Sequence, residues 1–208
     1  MRKGLLILIS GPSGTGKGTV CDLLRQKHPE ISYSISATTR QPRKGDVDGV
    51  DYFFKTRDEF EKMIEKNELI EWAEYVGNYY GTPKEYVEKQ LEDGNDVLLE
   101  IEMQGGMLVK EQYPDALLLF VTPPNAEILK DRLTGRGTET AEEITRRLNR
   151  AAEEVDYMDK YDYILVNDSL DEAVENLHNL IQTRHYKTTH CEDLIESMRQ
   201  QLNTLVSK

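Results

Sequence analysis

The stretch that most constrains this chain is Leu5 to Thr19, Leu-Leu-Ile-Leu-Ile-Ser-Gly-Pro-Ser-Gly-Thr-Gly-Lys-Gly-Thr. Five consecutive apolar residues read as a buried parallel strand, because a surface strand would alternate with polar residues. The strand ends in a turn where Gly11, Gly14 and Gly16 let the backbone aim successive N–H groups into one concavity. A helix starting near Gly16 adds its positive dipole end to the same spot, and Lys17 supplies a mobile point charge for outer phosphates. The pattern is G-x-x-x-x-G-K-[ST] with one departure: position 18 is Gly, and the hydroxyl arrives one residue later as Thr19. A strand before, a helix after and a lysine in place predict nucleoside triphosphate binding.

The rest of the chain must supply the fold and the second substrate. At 208 residues it fits one sizeable α/β domain with insertions. Apolar content of 38% with 31% charge is that of an ordinary soluble protein, and no apolar run approaches a membrane span. Met1-Arg2-Lys3 before Leu5–Ile9 imitates a signal peptide, but the apolar segment is too short and runs into the glycine loop. Cys21 and Cys191 are far apart without metal-ligand spacing, so the expected compartment is the cytoplasm. A net charge of −12 argues against nucleic-acid binding, although local arginine clusters still suit small phosphorylated ligands.

Periodicity predicts alternating strands and helices, hence a parallel sheet covered on both faces. Helices are expected at 16–27, 57–66, 83–92, 105–112, 140–158 and 170–184, with another opened by Pro123-Pro124 and reaching about Leu133. Strands are expected at 31–35, 51–54, 69–76, 96–101, 116–121 and 163–166, with Gly77 to Pro83 as a turn. Residues 37–84, rich in short strands where a doubly wound fold needs a crossover helix, read as an inserted substrate lobe. After about His185, Leu194, Met198, Leu202 and Leu205 recur at helical spacing and predict an appended helix over 186–208. That stripe can pack on its own domain or on a second subunit; the expectation is a homodimer.

Two clusters suit a phosphorylated base. Arg40 and Arg43 share a proline-containing loop, where guanidinium groups can grip phosphate oxygens bidentately, and Tyr52 and Tyr80 can each donate a hydroxyl. Glu71 is a carboxylate in an otherwise apolar strand. Guanine presents N1–H and N2–H2 side by side, and one carboxylate accepts both, whereas adenine N1 is an acceptor. A buried site built for that pairing rejects the wrong base by roughly 10⁴ or more. Spacing alone leaves Glu71 equally well placed on the solvent face of an edge strand.

Taken together, the ordered motifs resemble the guanylate kinases over about residues 4–185. They are Gly-Pro-Ser-Gly-Thr-Gly-Lys-Gly-Thr (11–19), Ser-Ala-Thr-Thr-Arg-Gln-Pro-Arg (36–43), Gly-Val-Asp-Tyr-Phe-Phe (49–54) and Leu-Ile-Glu-Trp-Ala (69–73). Gly-Asn-Tyr-Tyr-Gly-Thr (77–82), Glu-Ile-Glu-Met-Gln-Gly (100–105), Gly-Arg-Gly-Thr-Glu (135–139) and Val-Asn-Asp (166–168) complete the set. The Gly18-Thr19 ending is the form seen in nucleoside monophosphate kinases.

The resemblance implies an α/β fold: a P-loop doubly wound parallel core at about 1–36, 85–125 and 159–185, a strand-containing GMP lobe at 37–84 and a helical lid at about 126–158. It implies transfer of the γ-phosphate of MgATP to GMP, with tolerance of dGMP left open. By matching position, Gly11, Ser13, Gly14, Thr15, Gly16, Lys17 and Gly18 would hold the ATP phosphates, with Thr19 near Mg2+, directly or through water. Ser36, Glu71 and Thr82 would read guanine, and Arg40, Arg43, Tyr52 and Tyr80 would hold the GMP phosphate. Arg132, Arg136 and Arg147 match lid arginines that close over the transferring phosphate or the adenine, with Arg136 and Asn167 flanking that ring; Lys17, Arg40, Arg136 and Arg147 would be the catalytic cations. Glu102 stands where the family usually has aspartate, so the longer side chain alters an expected guanine and magnesium contact. Two alternatives stay open: a kinase for AMP or dTMP on the same scaffold, or a non-catalytic guanylate-kinase-like binding module, which generally lacks an intact phosphate loop.

Overall fold

The computed structural model describes residues 3–75, 77–135 and 140–207. Its elements begin with β1 (Leu6–Ser10), α1 (Lys17–Lys27), β2 (Ser32–Tyr33), β3 (Ala37–Thr38), β4 (Phe53–Phe54) and α2 (Arg57–Glu65). They continue with β5 (Leu69–Tyr75), β6 (Asn78–Pro83), α3 (Lys84–Glu92), β7 (Val97–Glu100), α4 (Met103–Gln112) and β8 (Leu117–Thr122). The last are α5 (Ala126–Thr134), α6 (Ala141–Val155), β9 (Tyr163–Val166), α7 (Leu170–Arg184) and α8 (Glu192–Val206). Among the described residues no helix is long and apolar enough to cross a membrane.

Five strands form one parallel sheet in the order β2-β7-β1-β8-β9. Central β1 is buried along its whole length, and its side chains divide between the sheet's two faces. Ile7 and Ile9 join Val20, Leu24, Val174, Leu177 and Ile181 beneath α1 and α7. Leu6 and Leu8 join Val87, Leu91, Val109 and Phe120 on the opposite face, beneath α3 and α4. A strand buried on both faces must be apolar at every position, which is why residues 5–9 show no alternation. Because β1 lies between β7 and β8, the chain leaves it at a topological switch point, where parallel sheets open a crevice at their carboxyl ends.

A second sheet, β4-β3-β6-β5, draws its strands from residues 37–83. It has its own small core of Ala37, Phe60 and Leu69, with Phe53, Met63, Ile64 and Tyr79 packed against it. Here the sequence expectation is corrected: Asn78–Pro83 is strand β6, antiparallel to both β5 and β3, instead of a turn. The β5–β6 connection passes through Gly77 at φ 74°, leaving Tyr79 and Tyr80 free to pair. A second correction concerns Pro123-Pro124, which precede α5 without opening it. Asn125 caps that helix, its side chain accepting from Ile128 N–H at 2.9 Å. Likewise α6 stops at Val155, before a short 3₁₀ turn at Met158–Lys160. The appended helix forms as α8, yet Leu194, Met198, Leu202 and Leu205 are 63, 48, 52 and 69% exposed, so its stripe is not covered by its own domain.

One buried hydrogen-bonded pair ties the end of α7 to the sheet. His185 donates from Nε2 to Asp96 Oδ2 (2.8 Å), while Asp96 Oδ1 accepts the Leu5 backbone N–H (2.9 Å). The side chains are 1% and 10% exposed, so removing one partner strands a charged or polar group away from water. His185→Ala is expected to lower unfolding free energy by about 3 kcal/mol in urea titration, and a loss within about 0.5 kcal/mol would deny the pair an anchoring role.

Candidate active site

The crevice is built from four groups of residues, and the glycine loop between β1 and α1 is its floor. Gly14 and Gly16 have φ of 90° and 88°, a region that L side chains rarely adopt. Neither has room for a side chain: a Cβ on Gly14 would meet Leu133 Cδ2 of α5 at 2.8 Å, and one on Gly16 would collide with Asn167 Nδ2. Gly16 is also the N-cap of α1 and brings no side chain to its first-turn amides, which are therefore available to an anion. Lys17 Nζ donates to the Gly11 carbonyl and to the Pro12 carbonyl (3.2 Å), so the cation is held over the loop's own rim. Thr19 is exposed at the same helix end. This backbone concavity with a cation at its mouth fits a polyphosphate.

Residues distant in sequence brace the loop. Asn167 donates from Nδ2 to Thr15 O (2.8 Å), and Arg132 of α5 donates to Asn167 O (2.9 Å) and Thr15 O (3.4 Å). From α6, Arg147 Nη1 lies 3.5 Å from Ser13 Oγ as donor to acceptor. The α5–α6 pair packs on itself through Leu129, Leu133 and Ala151, so both arginines reach the loop from one small unit. Arg136 lies outside the described residues.

The predicted phosphate clamp belongs to the second sheet and the loop that follows β3. Arg40 donates from Nη2 to Asp46 Oδ2 (2.9 Å), and its guanidinium lies over the rings of Tyr52 (5.2 Å to the centroid) and Phe54 (5.6 Å). Tyr52 meets Tyr80 edge-on, with centroids 6.1 Å apart. Arg40, Tyr52 and Tyr80 are thus brought together. Arg43 presents an exposed side chain and donates its backbone N–H to the same Asp46 oxygen (2.8 Å). That N–H, followed by the Arg40 guanidinium, holds the Asp46 carboxyl below the usual carboxylate range despite desolvation.

Between the two sheets lies Glu71, half-buried on β5. Thr82 of β6 donates from Oγ1 to Glu71 Oε1 (2.7 Å), while Oε2 faces the first turn of α4, 3.3 Å from where a Cβ on Gly105 would sit. Burial pushes the Glu71 carboxyl above its ordinary range, and the Thr82 hydrogen bond only partly opposes it. A carboxylate with few partners of its own can accept a ligand's donors. Ser36 is half-buried just before β3, its carbonyl accepting from Phe53 N–H (2.9 Å). Glu102 is the exposed N-cap residue of α4, and its side chain does not close the cap.

Sequence reasoning missed a set of acidic groups around Lys17. Glu100 ends β7 with its residue exposed overall, and its carboxyl is raised by local desolvation first, then by Asp22 and Glu102, with Lys17 opposing. Glu154 of α6 is 5% exposed and accepts from Arg150 Nε (2.9 Å); burial raises it, while Arg150 and Lys17 pull the other way. The Arg150–Glu154 spacing of four on one helix was a usable signal. Glu100 lies in the 100–105 motif, whereas Asp22, from a different element, carried no signal.

Comparison with known proteins identifies the family. The guanylate kinase family model matches residues 3–184. The guanylate kinase of Halalkalibacterium halodurans is 54% identical over 198 residues, covering 95% of this chain and 96% of that one. That of Bacillus subtilis is 53% identical over 186 residues, covering 89% and 91%. The crystal structure of guanylate kinase from Anaplasma phagocytophilum superposes with a TM-score of 0.74 at 31% identity, covering 95% and 96%. With an intact phosphate loop, a carboxylate beside a tyrosine–arginine clamp and relatives matched along nearly their whole length, the chain belongs to the guanylate kinase family.

Proposed function

We propose a division of labour in this chain for the family reaction, transfer of the γ-phosphate of ATP to GMP. The glycine-loop amides and Lys17 bind the ATP phosphates, and Arg132 and Asn167 place the adenine side of that nucleotide. Glu71 accepts the paired N–H donors of guanine with Thr82 and Ser36 beside it, and Glu102 lies near the same edge. Arg40, Arg43, Tyr52 and Tyr80 hold the GMP phosphate. The α5–α6 unit is the lid, and Arg147, with Arg136 from the same segment, closes over the transferring group. The observation that carries this reading is the Glu71–Thr82 pair: a desolvated carboxylate is oriented by one hydroxyl and has acceptor capacity to spare.

The chemistry needs no covalent intermediate. Phosphoryl transfer proceeds through a loose transition state in which positioning and charge neutralisation are decisive. Two phosphate groups repel one another, so Lys17 on one side and Arg40 on the other must draw them into line. Lid closure excludes the water that would otherwise accept the phosphoryl group. Thr19, with the neighbouring carboxylates Glu100 and Asp22, would hold a magnesium ion through oxygen donors, and the ion would supply positive charge to the phosphates. The free thiols of Cys21 and Cys191 fit a cytoplasmic location, and the exposed α8 stripe is the surface we assign to self-association.

Lys17→Ala is expected to abolish GMP-dependent turnover while leaving the circular dichroism spectrum and melting temperature close to wild type; near wild-type activity in the folded variant would remove the loop from the mechanism. Glu71→Ala is expected to cost about 3 kcal/mol, roughly a hundredfold in kcat/KM for GMP. Glu71→Gln separates function from stability. A carboxyl whose folded pKa lies above its unfolded value destabilises the fold as pH rises through the unfolded pKa, so the glutamine variant should gain stability at neutral pH. It should also lose GMP turnover together with the acidic limb of the wild-type pH profile; full GMP selectivity in both variants would move base recognition elsewhere. For α8, light scattering should show a dimer that dissociates when residues 187–208 are deleted, whereas one unchanged mass would place any interface elsewhere.

A further inference from the structure

Far from the nucleotide crevice, three side chains with metal-ligating atoms converge where the end of α1 meets α7. His28 closes α1, its backbone N–H donating to Leu24 O (2.7 Å). Glu30 follows in the turn into β2, and His178 stands in the middle of α7. The two imidazole rings are stacked, with centroids 3.6 Å apart and planes within 11°. His28 Nδ1 lies 3.2 Å from Glu30 Oε1. One donor atom from each of His28, Glu30 and His178 lies within 4.8 Å of the other two. The Gln182 amide, one turn along α7, sits 3.3 Å from His178 Nε2 and steadies that ring.

Neither the proposed phosphoryl transfer nor the hydrophobic core uses this cluster. The His28 and Glu30 side chains are 24% and 61% exposed, so an ion from solvent can reach them. In a tetrahedral zinc shell with bonds of about 2.0–2.1 Å, neighbouring donors stand about 3.3 Å apart. The His28–Glu30 pair already has that spacing, and rotation of the His178 ring about its side-chain torsions would open the stack and turn an in-plane nitrogen lone pair toward the same point. Two imidazoles and one carboxylate, with water in the fourth position, suit zinc or another late first-row divalent ion and suit magnesium poorly. We propose that His28, Glu30 and His178 form a binding site for a divalent transition-metal ion, zinc above all, that clips the end of α1 to α7. The ligands come from opposite ends of the chain, so the ion binds the folded state and stabilises it.

The test uses the full chain, stripped with a chelator and freed of nucleotide, whose phosphates would also take metal. Calorimetric titration with Zn2+ is expected to give about one equivalent bound, with a melting temperature that rises with Zn2+ concentration. Co2+ in its place should give the visible bands of a tetrahedral nitrogen–oxygen site. His28→Asn and His178→Asn should each weaken uptake at least about tenfold, with Glu30→Gln weaker than wild type and GMP turnover in magnesium unchanged in all three. No Zn2+ uptake by the wild type, or equal uptake by the His28→Asn/His178→Asn double variant, would overturn the proposal. So would a thiolate-to-cobalt charge-transfer band, which would place the ion on a cysteine and can be read on the wild type even if a variant fails to fold.

Discussion

Everything in this molecule depends on holding a short, strained glycine turn at the carboxyl end of β1. The turn gathers backbone N–H groups around one point, a conformation that favours a bound anion and offers little packing of its own. The fold supplies the missing rigidity from both directions. Below, β1 is fixed between β7 and β8 and buried on both faces. Above, Leu133 packs against Gly14, and Asn167 and Arg132 fasten to the Thr15 carbonyl. These contacts join the loop to β9's end and to α5, so the unit proposed as the lid bears directly on the glycine loop.

The two sides of the crevice solve opposite electrostatic problems. Around the loop, Lys17 sits among Glu100, Asp22, Glu102 and Glu154, so a net-acidic protein presents a local charge balance that a nucleotide and its cation can complete. In the second sheet, the Arg40 guanidinium is preorganised by Asp46 and by the faces of Tyr52 and Phe54, which hold the fork without occupying all its donors. Glu71 occupies the least polar position of the three. Burial raises its carboxyl, a cost in stability that the recognition role proposed for it would explain.

Local signals in the sequence were read well, and long-range ones were not. The glycine loop is contiguous, and each residue's role follows from its neighbours. β9 and α7 fall at 163–166 and 170–184 as periodicity predicts. The segment 77–83 misled because Gly77, Asn78, Gly81 and Pro83 have turn chemistry, yet pairing with both β3 and β5 overrode it. Spacing leaves Glu71 ambiguous, and the hydrogen bond it accepts from Thr82, eleven residues away, is a long-range contact that spacing cannot supply. Asp46 and Asp22 carry no motif, since their meaning comes from partners that the fold delivers.

The central claim is that Glu71 and its neighbours make this phosphate-loop enzyme specific for guanosine monophosphate. The most direct measurement is ADP release from MgATP with GMP, AMP, dTMP or no acceptor, followed in one coupled assay. The account predicts release that depends strongly on GMP and stays near the acceptor-free background with AMP and dTMP. Comparable release with AMP or dTMP, or release indifferent to any acceptor, would contradict it.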